Sequence, residues 1–408
     1  MVFMSEPIFL KRIVLNNYKS IRVCSVRLGP LTFLLGQNGS GKSNFLDAVR
    51  LVTDALNTSL EHALRDRGGI NEVRRRSSGH PTHFGIRLEW QLPNGTEGVY
   101  SFRVGSKSGG AFEVQQEECR VYSPNSLHEE YYKVESGKVT AHLNVAPPAS
   151  EDRLYLVAAA GLPPFRPLFD ALSHMGFYNF NPDEIREMQP PDPGEVLKRD
   201  GRNLASVLNV IEKKNKDMHA RIVDFLSRIV PGITNVEVRH AGKKETLEFR
   251  QQVGTNRDAW RFIAENMSDG TLRALGILTA LFQSVNGGQA RVPFVAIEEP
   301  EVALHPGAAG VIRDALKVAA KTTQVVVTSH SPELLDDKEL SKDNILSVEI
   351  NNGETTIGPI DVATTHALRD KLYTAGELLR LNQIESDKSV SQDIHQIDLF
   401  SGYTPSWK

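Results

Sequence analysis

The sequence predicts an α/β fold with a mixed sheet core, an antiparallel β meander and an inserted, largely helical lobe. Three observations predict it. A continuous apolar run, Leu31-Thr32-Phe33-Leu34-Leu35, feeds through glycines into an amphipathic stretch, as a buried strand followed by a helix does. Two further apolar runs, 293–297 and 324–328, are separated by a helical pattern, the βαβ arrangement of a parallel sheet. Residues 84–92, 98–104 and 111–121 alternate apolar with polar, as the strands of a meander do.

Taken in order, residues 8–21 and 23–35 read as two strands divided by a polar step. A helix follows from about 42 to 56, with Phe45, Leu46, Val49, Leu51 and Val52 as its apolar residues. Residues 65–83 read as a polar, basic loop. Proline is densest between 124 and 195, where Pro163-Pro164 and Pro190-Pro191-Asp192-Pro193 mark irregular connections. A helical pair, 203–214 and 218–229, closes at Pro231-Gly232. Strands at 236–239 and 246–251 then lead to a helix over 269–284. Beyond about 385 the chain turns polar and reads as a disordered tail. The expected division is 1–123 for the first half of the core, 124–245 for the inserted lobe, 246–385 for the second half and 386–408 for the tail.

Composition bounds the function classes. With 47 Lys and Arg against 50 Asp and Glu, the net charge is -3, so any nucleic-acid contact must come from a local patch. The two cysteines, Cys24 and Cys119, have no CxxC spacing, which excludes a cysteine zinc site and fits a reducing compartment. No run approaches the roughly 18 apolar residues of a membrane span, and no secretory leader is legible. The reading is a cytoplasmic protein with no membrane partner.

The chemistry concentrates in four places. Gly36-Gln37-Asn38-Gly39-Ser40-Gly41-Lys42-Ser43 matches GxxxxGK[ST] between a strand and a helix. Glycines let backbone N–H groups curl around phosphate oxygens, Lys42 neutralises the β- and γ-phosphates, and Ser43 can ligand Mg²⁺. Asn44 continues this phosphate-binding run. At the end of an apolar strand, Glu298 is placed to support magnesium and Glu299 to act as the general base that positions attacking water. His330 directly follows the apolar strand 324–328, where an imidazole can donate to a γ-phosphate. Ser268 and Asp269 open a helix, and Ser268 serves either as its cap or, with Gly270, as a second phosphate contact across a dimer interface.

The order of these motifs resembles the ABC-type ATPase heads of the SMC and RecF group. It is most similar to compact AAA family ATPases of the AAA_21 type and to the ATPase half of OLD-family proteins. The resemblance rests on Leu15-Asn16-Asn17-Tyr18-Lys19-Ser20-Ile21, the phosphate loop, Met267 to Arg273, Ile297 to Glu301 with Leu304-His305-Pro306, Thr328 to Pro332, and Leu372 to Leu379. It implies a P-loop NTPase fold of ABC-ATPase type that uses ATP and Mg²⁺. It also implies a homodimer with two ATPs sandwiched between heads, open to higher oligomers. In such a dimer Ser268 and Gly270 of one head reach the γ-phosphate held by Lys42 of the other, Glu299 is the base, the loop 301–305 faces the partner, and His330 is the switch histidine. Glu298 stands where many ABC proteins have aspartate, and Asn181 is the candidate for the Q-loop position.

For the task of this ATPase, the resemblance favours a prokaryotic, anti-phage defence component with a separate nuclease or toxin-like effector. The alternative is a RecF-like, DNA-clamping repair ATPase, and a transporter subunit fits least. Two peripheral features bear on partners. Arg65, Arg67, Arg74, Arg75 and Arg76 form a basic segment that reads either as a contact for nucleic acid or an acidic partner or as a solvated loop. Gln396-Ile397-Asp398-Leu399-Phe400 resembles the short QxxLF peptide that docks on the replication sliding clamp; the other reading folds Leu399 and Phe400 back onto the head.

Overall fold

The computed structural model describes residues 7–77, 79, 81–124, 126, 128–141, 147–254, 259–283, 285, 286, 289, 290, 292–387 and 398–406. The chain divides into two compact units. One comprises Met1–Met175, Ser341–Asp370 and Ile384–Lys408, the other Gly176–Leu340 and Lys371–Gln383. Among the described residues no helix is long and apolar enough to cross a membrane.

The first unit is built on a seven-stranded antiparallel sheet. Its order is Ile21–Arg27, Leu10–Tyr18, His83–Gln91, Glu97–Ser106, Phe112–Tyr122, Glu130–Glu135 and Lys138–Ala141. The expected meander forms its centre, and its inward positions place Trp90, Tyr100, Phe102 and Tyr132 in the core. A second layer holds Leu31–Leu35, paired in parallel with Ile345–Asn351, which pairs antiparallel with Glu354–Pro359. Every residue of Leu31–Leu35 is buried, as its unbroken apolar run requires.

Three expectations are corrected here. Residues 8–35 form three strands rather than two: the first ends at Tyr18, and the expected second, 23–35, is broken at Gly29-Pro30 into Ile21–Arg27 and Leu31–Leu35. Gly29-Pro30 is a breaker pair set within an otherwise apolar stretch. The segment 65–83 is not a plain loop. It contains Ile70–Val73, a short helix whose Ile70 and Val73 are buried, and the strand His83–Gln91 begins at its end. The polar tail is ordered where it is described. Ser386 is buried and bridges to Ile360, and residues 398–406 lie on the seven-stranded sheet.

The physical reason for the ordered tail is a set of specific partners. Leu399 is 1% exposed and packs over Gly85. Arg87 donates to the carbonyls of Leu399 and Ser401 at 3.0 and 2.7 Å, and Phe400 lies under the Arg103 guanidinium. Tyr403 packs against Tyr122, and the Ser406 hydroxyl reaches Glu97. Gln396 and Ile397 lie outside the described residues.

In the second unit Phe294–Glu298 pairs in parallel with both Gln324–Ser329 and Gly176–Tyr178. The helical pair is Leu204–Lys214 and Lys216–Ile229, and the helix Asp269–Phe282 buries nearly every side chain from Thr271 onward. Burying each of Leu272, Leu275, Ile277 and Leu278 contributes about 1.5–3 kcal/mol. A three-stranded antiparallel sheet joins Ile233–Ala241, Lys244–Gln251 and Trp260–Ile263.

Candidate functional site

The phosphate loop lies in the first unit, between Leu31–Leu35 and the helix Lys42–Asn57. Gly41 caps that helix with φ 107°, and an added Cβ would sit 2.2 Å from Thr355 Oγ1, so no other residue fits there. The crest Gln37, Asn38 and Gly39 is exposed, as is Ser43, while Ser40 and Lys42 are buried. Lys42 Nζ donates to the carbonyls of Gly36 and Gln37 at 2.7 and 3.0 Å, which folds the cation over its own loop.

The side-chain amide of Asn44 donates to Ser20 Oγ at 2.8 Å. One turn further along the helix, Asp47 accepts from Tyr18, Lys19, Arg50 and Arg67 at 2.6–2.9 Å. Burial alone would raise the Asp47 carboxyl, but Arg67, Lys19 and Arg50 outweigh it and hold it well below the ordinary carboxylate range.

That network changes the reading of the basic segment. The Arg67 side chain is 3% exposed and also binds Asp54 and the carbonyl of Ala63, so it is a structural cation. Arg75 pairs with Glu354, Arg76 with Glu72, and Arg74 donates to the carbonyl of Pro81. Of the five arginines proposed to meet nucleic acid, these four already have partners within the chain. For Arg67 and Arg75 the sequence hid this, because Asp47 and Glu354 are distant in it.

The acidic residues lie in the second unit, where Phe294–Glu298 ends. Arg199 donates to Glu298 at 2.8 Å. Glu299 has φ 44°, a left-handed conformation unfavourable for a glutamate. Its N–H donates to Thr328 O at 3.0 Å and lies 3.2 Å from Thr328 Oγ1, so the neighbouring strand holds the turn. His330 Nδ1 lies 3.5 Å from Glu299 Oε1 and 3.9 Å from Glu301 Oε1. Glu301 Oε1 accepts from Ser329 Oγ at 2.7 Å and from the His330 N–H at 3.2 Å, fixing the start of the turn that carries the histidine. The expected base and switch histidine are thus brought together, and Glu301 is a further member that the notion of a partner-facing loop did not foresee.

Ser268 is the cap of its helix: Oγ accepts from the Thr271 N–H at 3.2 Å. Gly270 is required by close approach, since an added Cβ would lie 2.5 Å from the carbonyl of Ala303. The signature turn therefore packs directly on the loop 301–305, within which Ala303 also has a positive φ of 64°. Arg273 donates to Phe180 O at 2.8 Å. Burial lowers its guanidinium from the usual value, opposed by Glu299, Glu301 and Asp269. Asn181 caps the helix Pro182–Arg186 by accepting from the Asp183 N–H.

A glycine loop at a helix start, an acidic strand end with a histidine directly after the next strand, and a capped helix are elements of a P-loop NTPase fold of ABC-ATPase type. The fold agrees. Over 88% of this chain and 99% of the other, it is similar to the "SmcHead bound to the C-winged helix domain of ScpA", with TM-score 0.56 and 13% identity. It is also similar to the Smc head domain with an extended coiled coil derived from Pyrococcus furiosus, with TM-score 0.55 and 11% identity over 89% of this chain and 99% of that one.

The family model described as "AAA domain, putative AbiEii toxin, Type IV TA system" matches residues 31–336, and the chain belongs to this AAA_21 family. The "Old nuclease" of Escherichia phage P2 is 25% identical over 148 residues, 36% of this chain. The chain aligns with 25% of that relative's length.

Proposed function

We propose that this chain binds ATP with Mg²⁺ and hydrolyses it to ADP and phosphate, and that ATP closes two heads into a head-to-tail dimer. The dimer then regulates a separate nuclease or toxin-like effector in prokaryotic anti-phage defence. The observation that carries this reading is the phosphate loop, with its exposed crest, positive-φ Gly39 and Gly41, and Lys42 in the first helical turn. Apart from its chain neighbours, no described residue comes within 4 Å of where a Cβ of Gly39 would stand, so that side of the loop has room for an anion.

In this reading Gly36, Asn38, Gly39, Ser40 and Gly41 form the loop that receives the phosphates. Lys42 exchanges its loop carbonyls for them, and the exposed Ser43 with Glu298 holds magnesium. The metal, when bound, neutralises charge on the β- and γ-phosphates. Glu299 takes the proton of the attacking water, and His330 steadies the γ-phosphate. Ser268 and Gly270 complete the partner's site. The defence role is supported by the family description, which names a toxin of a type IV system, and by the phage nuclease relative. Sliding-clamp docking is not carried forward, because Leu399 is buried on the chain's own sheet.

The test is sedimentation of Glu299→Gln with Mg-ATP, followed by its use as bait in native cells. The expected result is an ATP-dependent dimer that Ser268→Arg abolishes, with one effector protein co-purifying. A Glu299→Gln protein that stays monomeric in ATP removes the dimer reading.

A further inference from the structure

The turn between Leu10–Tyr18 and Ile21–Arg27 grips the P-loop helix at two points on one face. Lys19 reaches Asp47 at 2.6 Å, and Ser20 accepts from Asn44 at 2.8 Å. Ser20 Oγ also lies 2.7 Å from Thr355 Oγ1, and Thr355 Oγ1 donates to the carbonyl of Ser40 at 2.8 Å. Thr355 is 1% exposed, and its N–H donates to Ser20 O at 2.9 Å. Its side chain occupies the space that Gly41 leaves by lacking a Cβ.

The polarity of this chain has one assignment. A carbonyl only accepts, so the Thr355 hydroxyl proton goes to Ser40 O. Thr355 must then accept from the Ser20 hydroxyl, and Ser20 accepts from the Asn44 amide. Three donor groups, from residues 44, 20 and 355, therefore end on one backbone carbonyl of the phosphate loop. The bond ties Ser40 O to the buried side. A free carbonyl could turn outward and place negative charge where a phosphate oxygen has to sit.

We propose that Ser20 and Thr355 are positioning residues of the nucleotide site, holding the phosphate loop in its anion-binding shape before nucleotide arrives. The proposal rests on the reading of residues 36–43 as that site. Preorganisation of this kind raises affinity by lowering the ordering cost of binding.

Two measurements on the full chain test it: hydrogen exchange of residues 36–44 without nucleotide, and the Kd for Mg-ATP by calorimetry. In Thr355→Val, amide exchange across 36–44 should quicken and Kd should rise, each by roughly three- to tenfold for one lost hydrogen bond. Thr355→Ser should restore both. Ser20→Ala should act in the same direction, and adding it to Thr355→Val should cost little more, since the chain is already cut. If Thr355→Val does not fold, Ser20→Ala at its half-buried turn decides by the same readouts. Unchanged exchange in 36–44 overturns the proposal, whatever the melting temperature does. Should Lys42→Ala bind ATP like wild type, the nucleotide reading falls instead, and the exchange measurement still decides the relay.

Discussion

The phosphate loop and the acidic strand end are built in opposite ways. Around the loop long-range contacts brace it: Asp47 gathers four donors, Ser20 and Thr355 tie down Ser40, and the positive-φ positions within it are glycines. At the strand end, Glu299 adopts a left-handed conformation without being glycine, and its side chain and that of His330 are substantially exposed. One oxygen of Glu301, Oε2, is buried there with no hydrogen-bond partner. The difference teaches where stability and chemistry are kept. A loop that receives a multiply charged anion gains from being rigid beforehand. A base that must meet water gains from exposure, and strain there persists because the neighbouring strand enforces it.

The contrast is broken most severely at Asp47. Asp47→Ala leaves Arg67 buried without its central counter-ion, and a loss of about 3–5 kcal/mol of unfolding free energy is expected. Chemical denaturation measures it; a loss below about 1 kcal/mol would show that the bracing is cosmetic.

A second buried carboxylate in the same unit gives a pH signature. Glu117 accepts from Tyr100, Tyr132 and the N–H groups of Tyr155 and Leu156, yet burial, only partly offset by those donors, pushes its carboxyl from 4.5 up to about 7. The folded state then holds a proton that the unfolded chain releases. Its contribution is therefore complete below about pH 4.5 and is lost as pH rises through about 7, by on the order of 3 kcal/mol. Glu117→Gln should flatten that fall when urea midpoints at pH 5 and pH 7.5 are compared.

The smallest effect is expected at the strained end and has the opposite sign. Glu299→Asn places a residue tolerant of φ 44° there, and stability should rise by up to about 1 kcal/mol. A stability loss would mean that the glutamate side chain, not the backbone, dominates that turn.

Much of this was legible in the sequence. The phosphate loop, its helix and the apolar strand ending in Glu298 are local patterns, in which spacing alone specifies the geometry. Ser268 as a helix cap was legible for the same reason. The rest depended on contacts that no local pattern encodes. Ser20 and Thr355 are 335 positions apart, and Asp47 meets Arg67 across a helix boundary. Arg67 and Arg75 looked available because Asp47 and Glu354 lie elsewhere in the chain. The tail looked disordered because one buried leucine and two carbonyls on Arg87 do not change a polar composition. The bond from the Asn44 amide to Ser20, 24 positions away, was equally invisible to local pattern.

The central claim is that the loop of Lys42 and the carboxylate of Glu299 serve one ATP-hydrolysing reaction. Steady-state phosphate release at saturating Mg-ATP tests it most directly, with nucleotide binding measured on the same proteins. The account predicts that Lys42→Ala loses tight binding or turnover. It predicts that Glu299→Gln binds ATP normally and turns over about 10²–10⁴-fold more slowly. Near-wild-type turnover by Glu299→Gln would contradict it.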